Sequence, residues 1–195
     1  MAPVPPSPPA QRSPRAPLRK RAWPLSKVYG LLETGPVLLL STAHKGVANV
    51  MTQSWHTMME FEPPLVGCIV SPNNHSFAAL KATRQCVLNI PDAALAPQVV
   101  ACGNCSGRDR DKFRALGLSA APARHVEAPL IAECPVSLEC RVVDTRMVKR
   151  YGLFVLEVLA AWVDPRHAPA QTLHHRGHGA FMVAGPTINL ASRMK

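Results

Sequence analysis

Acidic residues are scarce. Twelve Asp and Glu stand against 22 Lys and Arg in 195 residues, for a formal net charge of +10. The imbalance is local: residues 1–32 hold six basic residues and no acid, so the remaining 163 residues carry 16 basic against 12 acidic and are only mildly basic. Aromatics are also few, 10 in all, and no strand interleaves them with cations, which argues against a nucleic-acid-binding module. Long apolar runs are missing. The longest candidate, residues 153–163, is broken by Glu157 and falls short of the ~18 residues of a membrane span. Neither Gly-x-Gly-x-x-Gly nor Gly-x-x-x-x-Gly-Lys-Ser/Thr occurs, so any nucleotide must be held without a Rossmann turn or a P-loop. The absence of Gly-x-Ser-x-Gly and His-Glu-x-x-His weakens hydrolase and zinc-protease readings. Six cysteines are too few for a disulfide scaffold, and the first residues have neither the charged nor the apolar region of a secretory signal. Reduced thiols in a cytoplasmic protein, with no membrane partner, are the expectation.

What is present suffices for one core. Apolar residues make up 47% and charged residues 17%, and the length suits a single domain with an appendage. Eight of the 20 prolines precede Leu25, so residues 1–24 read as a disordered Pro/Arg-rich leader and residues 25–195 as the domain. The basic run Arg19, Lys20, Arg21 has functional readings, contact with nucleic acid or an acidic membrane, or an organelle address. A solvated tail is preferred, because the prolines forbid the amphipathic helix those roles use.

The domain is rich in strand signals. Residues 36–43 and 47–55 flank the turn His44, Lys45, Gly46 and predict a β-hairpin. Residues 64–71 predict a third strand, residues 76–83 a short helix, residues 86–90 a fourth strand, and residues 93–102 and 108–116 helices, the last stopped by Gly117. In residues 136–143 alternation places Val136, Leu138, Cys140 and Val142 on one face and Ser137, Glu139 and Arg141 on the other. Residues 151–163 and 181–184 complete the strands. A mainly β protein follows, with short inserted helices, and such a strand set closes economically into a β-barrel.

Several groups could carry chemistry. Cys102-Gly-Asn-Cys105 has the spacing of a redox dithiol or half a zinc site, but without a second pair or a βαβ setting it reads as ordinary thiols. His174, His175 and His178 cluster around Arg176, and Gly177 and Gly179 place them in a loop, open to a metal, an anionic or redox ligand, or solvent alone; His56 has the same ambiguity. Three segments stand out: Asn49, Met51, Thr52, Ser54 and Trp55; Ser71, Asn74, His75, Ser76 and Phe77; and Arg108 through Lys112 and Phe113. Each puts hydroxyl, amide or basic groups where a strand gives way to a loop or a helix begins. A flat heteroaromatic cofactor with a phosphate needs that combination. Ser76 is a natural N-cap for its helix, and capping is its alternative role.

The order of these segments, with a Gly-Pro-Val strand, Glu-Pro-Pro-Leu-x-Gly, Cys-Val-Leu-Asn-Ile-Pro and a late His-His-Arg-Gly-x-Gly-x-Phe-Met-Val-Ala-Gly, resembles the flavin reductase-like family and its flavoredoxin-type members. The resemblance spans residues 27–195 and implies an FMN-binding split β-barrel, a homodimer with FMN near the subunit interface. Carried over position by position, Asn49, Met51, Thr52 and Ser54, with Trp55 beside them, match the strand along the flavin ring. Ser71 matches the strand end at the ring's pyrimidine edge. Asn74, His75 and Ser76, followed by Phe77, match the loop and helix start that hold the phosphate, and Lys112 and Phe113 match a later segment approaching the cofactor, with the partner subunit as one origin. His175, Arg176 and His178 match the open face, Arg176 and His178 as substrate contacts and the two histidines as candidate catalytic groups. No metal is implied, and a redox role for Cys102 and Cys105 is an addition the family does not support.

The resemblance implies hydride transfer from NADH or NADPH to FMN, chemistry that belongs to the cofactor and needs no carboxylate pair. The alternative is a flavoredoxin-type electron carrier reduced by a protein donor. An activity like pyridoxamine phosphate oxidation on a related barrel, and a two-component oxygenase as electron acceptor, complete the expectations.

Overall fold

The computed structural model describes residues 19–167, 171–191 and 193. Strand β1 (Arg21–Trp23) comes first, then helix α1 (Tyr29–Leu32) and the hairpin of β2 (Leu38–His44) and β3 (Val47–Gln53). Lys45 and Gly46 turn it with φ of 51° and 76°. Two consecutive positive φ values match the right-handed twist of the flanking strands, and glycine adopts one without strain. The register follows, Leu38 opposite Gln53 and His44 opposite Val47. The run Val37-Leu-Leu-Leu40 is apolar on both sides because both are covered: Leu38 and Leu40 face the barrel interior, whereas Val37 and Leu39 enter a second core outside it.

Strands β4 (His56–Glu60) and β5 (Leu65–Ile69), helix α2 (His75–Thr83) and β6 (Gln85–Ile90) follow. Next come α3 (Ala96–Gly103), α4 (Lys112–Leu116), the short pair β7 (Ala120–Ala121) and β8 (Leu130–Ile131), and β9 (Val136–Asp144). The last elements are α5 (Val148–Tyr151), β10 (Leu153–Val163) and the hairpin β11 (Leu173–Gly177) and β12 (Ala180–Val183). Antiparallel pairing runs β3-β2-β6-β9-β10-β5-β4, with β1 on β10. The two ends of this path are consecutive in the chain, and Gln53 draws them together. Its Nε2 donates to the Ile69 carbonyl at 2.6 Å, its Oε1 accepts from Trp55 N at 3.0 Å, and Ile69 N donates to the Trp55 carbonyl at 2.9 Å. The result is a β-barrel, split where β3 faces β5, filled by Leu38, Leu40, Val66, Leu88, Leu138, Phe154 and Leu156. The second core, with Val99, Phe113, Leu118 and Ile131, holds α3 and α4 against the outside of β2 and β3.

The structure corrects or adds to the sequence reading in four places. The ordered chain starts before residue 25: β1 pairs Arg21 with Val163 and Trp23 with Ala161, and Lys20 Nζ donates to the Ile131 carbonyl at 2.7 Å and Ser137 Oγ at 2.8 Å. The rest of the expected leader, residues 1–18, lies outside the described residues. Strand β4 was not foreseen, because His-Thr-Met-Met-Glu alternates weakly; it is an edge strand on β5. The face of β9 that carries Ser137 and Glu139 is covered as well, and both residues are fully buried. The chain around residues 124–131 covers them, and Glu139 accepts from Arg124 N and His125 N and from Trp162 Nε1 at 2.7 Å. The histidine cluster is not a loop: His174, His175 and Arg176 lie in β11, and His178, Gly177 and Gly179 form its turn with positive φ.

Candidate functional site

The two-sided burial of β2 and β3 sets the floor of a groove. Where β3 ends, Met51, Thr52, Gln53, Ser54 and Trp55 run along a cleft of about 410 Å³. Ile69 and Ser71 at the end of β5 form one wall and Val99, Val100 and Gly103 of α3 the other, while His175, Gly179 and Phe181 of the β11–β12 hairpin close it from above. The Thr52 hydroxyl donates to the Val99 carbonyl at 2.6 Å and fixes α3 against the strand. The His175 and Phe181 rings lie 5.1 Å apart, and Trp55 stands 68% exposed at the rim. This lobe is mostly apolar and suits a flat ring.

A second lobe of about 290 Å³ continues from it and shares Met51, Thr52, Asn74, Gly103 and Asn104. Its lining is polar and basic, with Asn49, His75, Ser76, Arg108 and Lys112 and, among the described residues, no carboxylate. Lys112 is 5% exposed, and its Nζ donates to the Cys102 carbonyl at 2.8 Å. One carbonyl cannot use three ammonium protons, so donors remain for a ligand anion. Asn49 Nδ2 donates to Ser76 Oγ at 2.8 Å, tying β3 to the first turn of α2. Ser76 is therefore not the cap. Asn74 occupies the N-cap position and spends its Oδ1 on Ser71 N at 3.0 Å, which fixes the loop and leaves the first-turn N–H groups of α2 on this side. Gly107 is required by close approach: a Cβ there would collide with the Asn49 amide and the His75 ring.

Most expected residues meet here: Asn49, Met51, Thr52, Ser54, Trp55, Ser71, Asn74, His75, Ser76 and Lys112 line one lobe or both, and His175 lines the first. Lys112 lines the second lobe of its own chain's groove. One expectation needs correction. Phe77 turns away and packs edge-on against Phe154 at 5.6 Å, and Phe113 is buried in the second core, so both support the groove without lining it. Arg176 and His178 are exposed on the hairpin and are not among the lining residues. His56 is structural: its Nε2 meets the Pro36 carbonyl at 2.7 Å, and burial pushes its pKa down despite that contact. Burial likewise pushes the Cys102 thiol up, and all six cysteines are free thiols. The walls from Val99, Val100, Asn104 and Gly107 were missed. The Gly-Asn and Ser-Gly pairs after the α3 sequence were the available signal for a backbone brought close to a ligand.

Comparison with known proteins places the site in context. Residues 32–181 match the family described as flavin reductase like domain. An uncharacterized protein of Pyrococcus abyssi is 31% identical over 132 residues, covering 68% of this chain and 76% of that protein. The structure of an FMN-binding domain of flavin reductases-like enzyme from Shewanella baltica superposes with a TM-score of 0.86 at 24% identity, over 91% of this chain and all of that one. Flavoredoxin from Methanosarcina acetivorans superposes with a TM-score of 0.73 at 25% identity, over 81% of this chain and 89% of that one.

Proposed function

The chain belongs to the flavin reductase-like family, and from that premise we propose that it holds FMN in the two-lobed groove and passes a hydride from NADH or NADPH to it. The observation that carries this reading is the continuity of an apolar lobe with a polar, cationic one across five shared residues. That is the division of a flat ring from a phosphate. The donor set fits: Lys112, Arg108, Ser76 and the first turn of α2 suit a dianion, and Gly107 lets the backbone approach it. Ser54, Ser71 and nearby backbone would meet the ring's polar edge, and Val99 and Ile69 would cover its faces. Bound FMN supplies the hydride-accepting ring, so the protein's tasks are to orient, to stabilise added negative charge and to exclude water. His175 lines the ring lobe and would orient an incoming donor, and Arg176 and His178, exposed on the same hairpin, would be its further contacts.

A flavoredoxin-type electron carrier is the second reading, favoured by the open rim at Trp55. The proposal includes a homodimer, supported by the exposed apolar residues Met59 and Phe61 beside the β4 edge, and a cytoplasmic setting, supported by the free thiols. A two-component oxygenase is a candidate acceptor. The test is the visible spectrum of the purified protein with added FMN, followed by anaerobic mixing with NADH and NADPH. Bound FMN bleached rapidly by either nucleotide supports the reductase; bound FMN that resists both selects the carrier, and failure to bind FMN overturns the assignment.

A further inference from the structure

Phe77, turned away from the groove, borders a different hollow. Beyond the loop carrying Ser71, Asn73 and Asn74, a concavity of about 480 Å³ is lined by Pro72, Phe77, Lys81, Arg84, Thr145, Val148 and Lys149. Three cations and no carboxylate are in that lining. The nearest acid in sequence, Asp144, is engaged by Arg146 at 2.6 Å. The Lys81 and Lys149 side chains are exposed and make no hydrogen bond or ion pair among the described residues. Arg84 is held in place: its Nε and Nη2 donate to the Val142 carbonyl at 3.3 and 3.0 Å, leaving further guanidinium donors directed elsewhere. Its backbone is unusual as well. Arg84 closes α2 with φ 57° and ψ 29°, the left-handed conformation that glycine fills most cheaply. An arginine at this position brings a guanidinium to the hollow at the expense of local strain.

We propose that this hollow is a second ligand site, separate from the flavin groove, that takes a phosphorylated nucleotide. Lys81, Arg84 and Lys149 surround the phosphate oxygens, Thr145 contributes a hydroxyl, and Phe77, Pro72 and Val148 form an apolar bed for the base. Concavity favours a small molecule over a protein surface, since the volume lies in the range of small-ligand sites, roughly 300–1,000 Å³. Uncompensated like charges around one hollow are unfavourable by themselves, and a polyanion relieves them. The site does not depend on what the flavin groove does, because it shares no lining residue with either lobe.

The experiment is titration calorimetry of the full-length protein, saturated with FMN so that the groove is occupied, using ADP and inorganic pyrophosphate as probes. Saturable ADP binding that weakens with salt, and weakens at least about tenfold in the Lys81→Glu/Lys149→Glu double variant, is expected. Both positions are exposed, so the variant should fold, and an unchanged FMN titration confirms that it has. No saturable ADP binding, or equal affinity in the two proteins, overturns the proposal. Pyrophosphate binding as tightly as ADP overturns the apolar bed and with it the nucleotide assignment. Where ADP binding is lost in the variant, a parallel rise in KM for NADH or NADPH identifies the bound nucleotide as the far end of that donor. An unchanged KM identifies a free nucleotide. A chain that binds ADP but no FMN refutes the proposed flavin function and leaves this site standing.

Discussion

Two lysines in this barrel, Lys20 half-buried and Lys112 buried, do opposite things. Lys20 Nζ has two acceptors, the Ile131 carbonyl and Ser137 Oγ, and joins a dense polar set in which Asn89 Oδ1 also accepts from Ser137 Oγ at 2.7 Å and from Ile131 N at 2.9 Å. Lys112 Nζ has one carbonyl and lines the basic lobe of the groove. The first is a rivet that pins β1 and the 124–131 segment to the sheet; the second is a ligand group held ready. What separates them is the number of donors already spent on the protein, two for Lys20 and one for Lys112.

Substitutions should break the two sets in different measurements. The largest effect is expected at Glu139→Leu beside the rivet, which strands Arg124 N, His125 N and the Trp162 indole without an acceptor. Urea unfolding should show a loss of about 3–5 kcal/mol, with FMN affinity per folded molecule unchanged. Lys112→Met should do the reverse, weakening FMN binding about ten- to a hundredfold while the melting temperature of the ligand-free protein moves little. Ser76→Ala should follow at about 1 kcal/mol in FMN affinity, because Asn49 keeps its place through the strand but loses its partner. Equal effects of Lys112→Met on folding and on flavin binding would show that it, too, is a rivet.

A pH slope tests the rivet separately. Burial lowers the Lys20 pKa from 10.5 to about 8, and the nearby Cys134, Glu133 and Asp164 only partly offset it. The unfolded chain therefore binds more protons between those values, so this residue's contribution makes stability rise with pH from about 8 to 10.5. The difference in unfolding free energy between wild type and Lys20→Met, followed across that window, should carry this slope, and a flat difference would refute it.

Legibility in the sequence divided along local and distant causes. The hairpin at Lys45-Gly46 and the segments around Asn49, Ser71 and Ser76 announce themselves because turn chemistry and strand ends are local. The burial of Ser137 and Glu139 was unreadable, since the cover comes from residues around 124–131, a neighbour in space that alternation cannot reveal. Phe77 misled for a related reason: its place in a functional motif says nothing about which way the helix points it. At the histidine cluster Gly177 and Gly179 suggest a loop, yet they reverse a hairpin rather than dissolve it. Family resemblance supplied what local pattern lacked, namely that these scattered segments converge.

The double covering of β2 has a consequence in time as well as in space. Its centre is flanked by β3 and β6 at its edges and by a core on each face. Its amide protons should be among the last to exchange with deuterated solvent, and those of the β11–β12 hairpin, a two-stranded sheet tied to the barrel through Val37 N and the Leu173 carbonyl, among the first. The groove thus has a floor that keeps its shape through many openings of its roof, so a ligand can come and go without the barrel having to breathe.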